Sequence, residues 1–286
     1  MDKFLDVIKA IIYGIVEGIT EWLPVSSTGH LILVEEFLPF KSVSEGFFDM
    51  FDVVIQLGAI LAVVILFWNK IWPFGLPKNQ KEPQQGIMGY VKMDKIILWL
   101  KIAVACVPAA VIGVLFDDVF DALFYNPFCV AIALIVFGEA FIFVEFWNRK
   151  KKPRVTRLDD ITYKTALIIG IFQLIAAIFP GTSRSGATIV GALMIGISRT
   201  VAAEFTFFLA IPVMFGASLL KIVKFGFQFT GIEVALLLIG TVVSFVVSLF
   251  IVRFLMAFIK KHNFVIFGWY RIVLGIIVLL YFGLAG

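Results

Sequence analysis

Apolar residues run through this chain in long blocks that are separated by short polar segments. A helix that crosses a bilayer needs about 20 predominantly apolar residues. Six blocks approach that length, and each predicts a transmembrane helix: Phe51–Trp68, Ile96–Phe116, Pro127–Trp147, Val201–Leu220, Ile232–Val252 and Phe264–Phe282.

Two other apolar regions are interrupted by polar turns. Residues 4–40 are broken by PVSSTGH, which begins at Pro24, and residues 166–197 are broken by PGTSRSGAT at 180–188. Glu17 and Glu21 count against a span in the first region, and the remaining apolar arms are too short to cross. Lipid tolerates such a break only where protein or a water-filled cavity surrounds it. We therefore predict an all-α polytopic membrane protein with six transmembrane helices and two re-entrant helical hairpins.

The order of one hairpin followed by three spans occurs twice, which predicts an internal repeat. Similar residues recur at an offset of 156 (170 minus 14), and the aligned pairs are Gly14 with Gly170, Glu17 with Gln173, Pro24 with Pro180, Ser27 with Ser183, and Phe51 with Phe207. We assign the first repeat to residues 1–150 and the second to residues 164–286 of a single membrane domain, 1–286.

Loop charge predicts that the two repeats are inverted. Lys and Arg collect in cytoplasmic loops, and both Asn69–Lys95 and Asn148–Lys164 are rich in them. The loop predicted at Asp117–Asn126 has neither, whereas its counterpart, Arg253–Asn263, has three. Equivalent loops would then lie on opposite sides of the membrane, and both polar turns would meet near its middle.

Composition agrees with a membrane protein. Of the 286 residues, 61% are hydrophobic and 15% are charged, against about 25% charged in a soluble domain. The basic residues behind the net charge of +4 lie in short loops, so they set topology and give no reason to expect nucleic acid as a partner. The two cysteines, Cys106 and Cys129, have no metal-type spacing.

Glu17 and Glu21 are four residues apart, so their carboxylates share one helix face. In an apolar helix the two carboxylates repel each other unless a cation, a shared proton or an arginine lies between them. Oxygen ligands of this kind suit a hard divalent cation, and we predict Mg²⁺ or Ca²⁺ held by Glu17 and Glu21.

The first turn continues with Ser26, Ser27, Thr28 and His30 at the start of a short helix. The unpaired N–H groups of a helix start attract phosphate. Ser27 or His30 could attack phosphorus, or His30 could act as a general acid or base. Ser27 activated by Glu21 or His30 is the preferred nucleophile, and His30 itself or water is the alternative.

The second turn supplies Arg184, whose planar guanidinium suits phosphate oxygens. An ion pair of Arg184 with Glu17 or Glu21 is a structural alternative that is compatible with this role. Further donors to a diphosphate in this turn are Gly181, Thr182, Ser183, Ser185, Gly186 and Thr188. Together the two turns favour phosphoryl transfer, in which positioning and charge neutralisation supply most of the catalysis.

Other polar residues at membrane depth receive supporting roles. Asp52 and Gln56 lie four apart on one span, and Gln173 lies in the second hairpin. We predict that these three stand behind the residues that contact substrate. Arg271 and Glu145 are interpreted as anchors at the ends of spans or as pairing residues.

At these residues the chain resembles the undecaprenyl-diphosphate phosphatase family of the bacitracin-resistance type. The resemblance rests on EGITEWLPVSSTGH at 17–30 and PGTSRSGAT at 180–188, with FDVVIQLGAILAVV at 51–64 and LDDITY at 158–163 in support. It covers essentially the whole chain, and no motif position departs from the family pattern.

The resemblance implies a multi-pass enzyme of the bacterial inner membrane whose site opens to the periplasm or the cell exterior. Such an enzyme depends on a divalent cation and removes the terminal phosphate of undecaprenyl diphosphate for peptidoglycan synthesis. It confers bacitracin resistance, because bacitracin sequesters the diphosphate lipid. The prenyl diphosphate and membrane lipid are the expected partners, and a homodimer is a further possibility. The residues carried over are Glu17, Glu21, Ser27, His30 and Arg184, with Ser26, Thr28, Ser183, Ser185 and Thr188 around the diphosphate.

Inverted repeats with broken helices are also the architecture of secondary transporters. The alternative function is therefore a transporter or flippase of the lipid phosphate. Release of phosphate from a prenyl diphosphate discriminates between the two, since a pure transporter releases none.

Overall fold

The computed structural model describes residues 2–75 and 90–285, which form helices joined by short loops. The middle of the predicted basic loop Asn69–Lys95 lies outside the described residues. In chain order the helices are α1 (Asp2–Thr20), α2 (Ser27–Phe37), α3 (Phe47–Val54), α4 (Gln56–Leu66), α5 (Trp68–Ile71), α6 (Met93–Phe124), α7 (Pro127–Asn148), α8 (Tyr163–Ile178), α9 (Arg184–Met194), α10 (Arg199–Phe225), α11 (Gly231–Phe258) and α12 (Val265–Ala285), with a 3₁₀ turn at Leu158–Asp160.

Six segments of the described chain are long and apolar enough to cross a membrane, which confirms the predicted number. They comprise α3 continued by α4, most of α6, and then α7, α10, α11 and α12. The helices of the two predicted hairpins are not among them. In those hairpins α2 and α9 have 11 residues each and α8 has 16. α1 is a continuous helix of 19 residues, but its apolar sequence includes several charged residues.

Several predicted boundaries were wrong. α6 continues to Phe124, so most of the loop predicted at Asp117–Asn126 is helical. Two residues later Asn126 caps α7, because its side chain accepts a hydrogen bond from the N–H of Cys129. α11 likewise continues to Phe258, inside the predicted loop Arg253–Asn263. In both places the helix ends where backbone hydrogen bonding stops, beyond the point where hydropathy falls.

Glycines allow several pairs of helices to approach each other closely. A Cβ on Gly14 of α1 would lie 2.7 Å from a backbone oxygen of α11, and one on Gly170 of α8 would lie 2.3 Å from a backbone oxygen of α6. Where α7 crosses α12, Gly138 and Gly268 face each other. A Cβ added to either glycine would lie 2.7 Å from the carbonyl oxygen of the other. Small residues let membrane helices approach this closely, and the contacts fix α1 and α8, which lead into the two turns.

The most deeply buried stretch of the described chain is α9 with the first half of α10. Residues 185–193 and 201–210 are all buried. The second polar turn, which precedes α9, therefore lies inside the protein and not on its lipid-facing surface.

Candidate active site

The short helices α2 and α9 follow the two polar turns, and each is preceded by a capping serine with positive φ. Ser26 precedes α2 with φ 75°, and Ser183 precedes α9 with φ 67°. Each hydroxyl accepts a hydrogen bond from a glycine N–H three residues later, Gly29 at 3.3 Å and Gly186 at 3.2 Å. Among the described residues these serines alone combine a side chain with positive φ. Such strained backbone concentrates at functional sites.

This shared geometry corrects the alignment of the two turns. Ser183 is the counterpart of Ser26, whereas the sequence alignment paired it with Ser27. The reason is one additional residue in the second turn, where the proline precedes the capping serine by three positions and not by two.

Glu21 joins the two turns. Ser27 Oγ donates to Glu21 Oε2 at 2.8 Å, and Arg184 Nη2 donates to Glu21 Oε1 at 2.6 Å. Ser185 Oγ donates to the backbone oxygen of Glu21 at 3.3 Å. Glu21, and not Glu17, is thus the partner of Arg184, and the predicted convergence of the two turns is confirmed.

Glu17 is fully buried, and neither of its carboxylate oxygens has a hydrogen-bond partner among the described residues. Gln173 on α8, which the sequence alignment paired with Glu17, is also buried, and neither of its amide atoms has a hydrogen-bond partner among the described residues. Buried polar atoms without partners are rare and costly. Glu17 lies one helical turn before Glu21, so its unpaired oxygens are available to a polar group bound near that carboxylate.

The donor set fits a divalent cation that is shared with substrate. No group of three or more His, Cys, Asp or Glu side chains in the described parts of the chain could hold a metal ion alone. Glu17 offers two unused oxygens, while both oxygens of Glu21 accept hydrogen bonds. Mg²⁺ is commonly bound by one or two carboxylates together with substrate phosphates, and these residues supply that number.

Arg184 is held from several directions. Its Nη1 donates a long hydrogen bond of 3.5 Å to the backbone oxygen of Thr206, and its Nη2 lies 3.0 Å from Met214 Sδ. Thr188 Oγ1 donates to the backbone oxygen of Arg184 at 2.9 Å and also lies 2.9 Å from Thr206 Oγ1. Thr206, which the sequence analysis did not select, therefore helps to orient the guanidinium.

His30 is engaged at both ring nitrogens. Nδ1 lies 2.7 Å from the backbone oxygen of Ser26, and since that oxygen only accepts, Nδ1 carries the proton. Nε2 lies 2.7 Å from Tyr270 Oη, and the two rings are stacked. With Nδ1 protonated, the neutral ring accepts from the tyrosine hydroxyl. Neither nitrogen is bonded to Ser27, so the geometry favours Glu21 over His30 as the base for Ser27.

Of the two roles expected for Arg271, anchor at the end of a span or pairing residue, the structure contradicts the first. Arg271 is fully buried on α12 and holds both turns. Its Nη1 donates to the oxygen of Pro24 at 3.3 Å, and its Nη2 donates to the oxygens of Gly181 at 2.9 Å and Thr182 at 2.7 Å. Arg271 is therefore no end-of-span anchor. The only signal in the sequence was a single arginine within an apolar block.

A cavity of about 410 Å³ lies beside the site. Thr28, next in the chain to Ser27, and Pro180, at the start of the second turn, line it together with Asp52 and Gln56. Asp52 and Gln56 therefore border the space next to the turns, and their supporting role stays a prediction.

Comparison with known proteins identifies the same chemistry. The family model described as bacitracin resistance protein BacA matches residues 10–277. The undecaprenyl-diphosphatase of Desulfitobacterium hafniense is 63% identical over 97% of this chain and 96% of its own length. Undecaprenyl-diphosphatase 1 of Clostridium acetobutylicum is 59% identical over 98% of each chain, and the undecaprenyl-diphosphatase of Enterococcus faecalis is 58% identical over 97% of each.

Proposed function

The chain belongs to the BacA family of bacitracin resistance proteins, and we propose that it is an undecaprenyl-diphosphatase acting where the two turns meet. It is a multi-pass membrane hydrolase that converts undecaprenyl diphosphate to undecaprenyl phosphate and inorganic phosphate. It thereby recycles the lipid carrier for peptidoglycan synthesis and confers bacitracin resistance. The observation that carries the proposal is the buried carboxylate of Glu21, which binds a hydroxyl of one turn and the guanidinium of the other.

The test is release of inorganic phosphate from undecaprenyl diphosphate by the purified protein in detergent. A transporter or flippase would bind the lipid without releasing phosphate. That alternative is not favoured, because the relatives named above are diphosphatases and because Ser27 is bonded to a carboxylate as a nucleophile would be.

Ser27 carries the attack in this mechanism. Its Oγ forms a bond to the terminal phosphorus while Glu21 Oε2 takes the hydroxyl proton. The P–O bond to the bridging oxygen breaks, and undecaprenyl phosphate leaves with the electron pair and receives the proton from Glu21. Glu21 then takes a proton from the water that cleaves the phosphoserine, and this proton returns to Ser27 Oγ.

Arg184 neutralises the charge that develops on the phosphoryl oxygens. Its guanidinium already lies at the nucleophile, because it shares Glu21 with Ser27. The first N–H groups of α2 and α9 add donors of the kind that stabilise phosphate. His30, with both nitrogens engaged, holds the start of α2 against Tyr270.

We further propose that Glu17 and Glu21 hold Mg²⁺ or Ca²⁺ together with the diphosphate, so that the cation neutralises phosphate charge when bound. Chelation of divalent cations is expected to stop phosphate release, and Mg²⁺ or Ca²⁺ to restore it. Glu17→Gln is expected to raise the cation concentration for half-maximal activity by about tenfold or more. Glu36→Gln, which changes an exposed carboxylate on α2, serves as the control. Full activity of the wild type in chelator would show that no cation is needed.

The finer architecture is also a proposal: α1–α2 and α8–α9 are re-entrant hairpins of two inverted repeats. The 11-residue helices α2 and α9 have equal length and the same strained cap. The packing of α1 on α11 is matched by that of α8 on α6, and the reciprocal contact of Gly138 with Gly268 is what a two-fold axis between α7 and α12 requires.

We also propose that the protein lies in the bacterial plasma membrane with its active site open to the outside, an orientation that the distribution of Lys and Arg among the loops supports. The cavity beside the site includes Phe120 and Tyr125, at the end of α6 that we assign to the outer face. In a variant without Cys106 and Cys129, a cysteine at Ala122 is expected to react with an impermeant thiol reagent added to whole cells, and a cysteine at Lys261 is not. Both are exposed. Equal labelling from outside would contradict the inverted arrangement.

A further inference from the structure

A second cavity, of about 850 Å³, lies at the far end of α9 from the active site. α9 begins at Arg184, and its last residues, Leu193 and Met194, line this cavity. Eleven helical residues separate the two places by about 16 Å. The cavity lies where α7 and α11 end and where α10 begins, so it is distinct from the diphosphate site.

The lining of this cavity is strongly cationic. Glu145 is the one carboxylate among the described lining residues, and Arg199 Nε at 2.8 Å and the N–H of Phe264 at 3.0 Å already bind it. The pairing role predicted for Glu145 is thereby confirmed. Its charge leaves a surplus of positive groups, and a concave surface of one sign concentrates anions. The cationic lining residues are Arg149, Lys151, Lys152, Arg154, Arg199 and Lys260.

The start of α10 adds donors to the same cavity. Ser198 occupies the N-cap position but makes no side-chain capping bond, and Ser198 and Thr200 both line the cavity. The first N–H groups of a helix have no partner within it and favour an anion. The cationic lining carries the argument, and these donors supplement it.

The cavity is flanked by residue types that are typical of the depth of lipid headgroups. Trp147 lies in the last turn of the span α7, and Lys151 Nζ lies 3.6 Å from the centroid of its ring. Tryptophan and basic residues concentrate at the membrane–water interface, and an excess of Lys and Arg marks the cytoplasmic side.

We propose that this basic cavity binds the phosphate group of an anionic lipid on the cytoplasmic face. Basic pockets between transmembrane helices on this side bind anionic headgroups. Inorganic phosphate carries the same negatively charged oxygens as a lipid headgroup, so it is the other ligand that this cavity could bind. The site is separate from the proposed hydrolysis, and its test does not depend on activity.

The chain offers a matched pair of variants for the test. Lys152 and Lys260 line the cavity, whereas Lys150 and Lys261, which lie two and one positions from them in the sequence, are exposed and do not line it. Lys152→Ser with Lys260→Ser and Lys150→Ser with Lys261→Ser remove the same charge from the same two loops. The purified full chain in neutral detergent is titrated with short-chain phosphatidylglycerol, short-chain phosphatidylcholine or inorganic phosphate, and binding is followed by calorimetry.

We expect the Lys152/Lys260 variant to bind phosphatidylglycerol roughly 30-fold more weakly than the wild type, and the Lys150/Lys261 variant to bind it as the wild type does. The difference between the variants reports on this cavity even where the active site also takes lipid. The same difference with inorganic phosphate would identify free phosphate as a source, and its absence there would identify the lipid alone. Equal binding by both variants, or equal effects on zwitterionic phosphatidylcholine, would overturn the proposal.

Discussion

Replacing Ser27 with alanine is expected to lower the rate of phosphate release from undecaprenyl diphosphate by at least about 10³-fold, as the loss of a nucleophile does in other hydrolases. Ser27 is nine-tenths buried, and its hydroxyl donates to Glu21 Oε2 at 2.8 Å. In the described chain no other hydroxyl donates to that carboxylate, so none stands ready to replace Ser27. The initial rate in detergent measures the effect, and acid quenching of the wild type should trap phosphate on Ser27.

Ser218→Ala is the matched control. Ser218 is also buried and also donates one hydrogen bond, at 3.0 Å, but to the backbone oxygen of Val53 on α3. It should lose stability without losing the chemical step. A Ser27→Ala protein with nearly full activity would exclude the serine nucleophile. Glu21→Gln would then test direct attack by water, since Glu21 is the base in either version.

Hydropathy predicted the number of spans, because lipid constrains the length and polarity of every segment that crosses it. It did not predict where α6 and α11 end. Both helices continue beyond the apolar block that predicts them, and hydropathy does not locate the residue at which backbone hydrogen bonding stops. The Asp117–Asn126 loop failed for that reason.

The site was predicted as far as local sequence reaches. Glu21, Ser27 and Arg184 were selected from residue type, and the structure brings them together. The pairing of Ser27 with Ser183 failed because both turns contain more than one serine, and only the left-handed φ identifies the cap. Arg271 follows the second turn by some 90 positions, and no local pattern connects residues so far apart.

Arg271→Met is expected to lower both stability and turnover. One guanidinium binds the oxygen of Pro24 in the first turn and those of Gly181 and Thr182 in the second. The loss of charged hydrogen bonds to buried carbonyl oxygens should lower the free energy of unfolding by about 3 kcal/mol. Small displacements of the turns should lower kcat by about 10²-fold, because Ser27 and Arg184 belong to different turns. Chemical unfolding in detergent and phosphate release measure the two effects.

The conservative variant Arg271→Lys distinguishes a role in positioning the turns from a role in stability alone. Arg271→Lys keeps the charge but loses the planar fork that reaches both turns, so it should regain part of the stability and little of the turnover. Arg253→Met, an exposed arginine on α11, should change neither. The kcat of Arg271→Met is to be measured well below the unfolding temperature of the variant. A kcat equal to that of the wild type would show that the bonds of Glu21 to Ser27 and Arg184 suffice to align the turns. Because those bonds engage the groups that must move during catalysis, we expect the alignment to depend on Arg271, which takes no part in the chemistry.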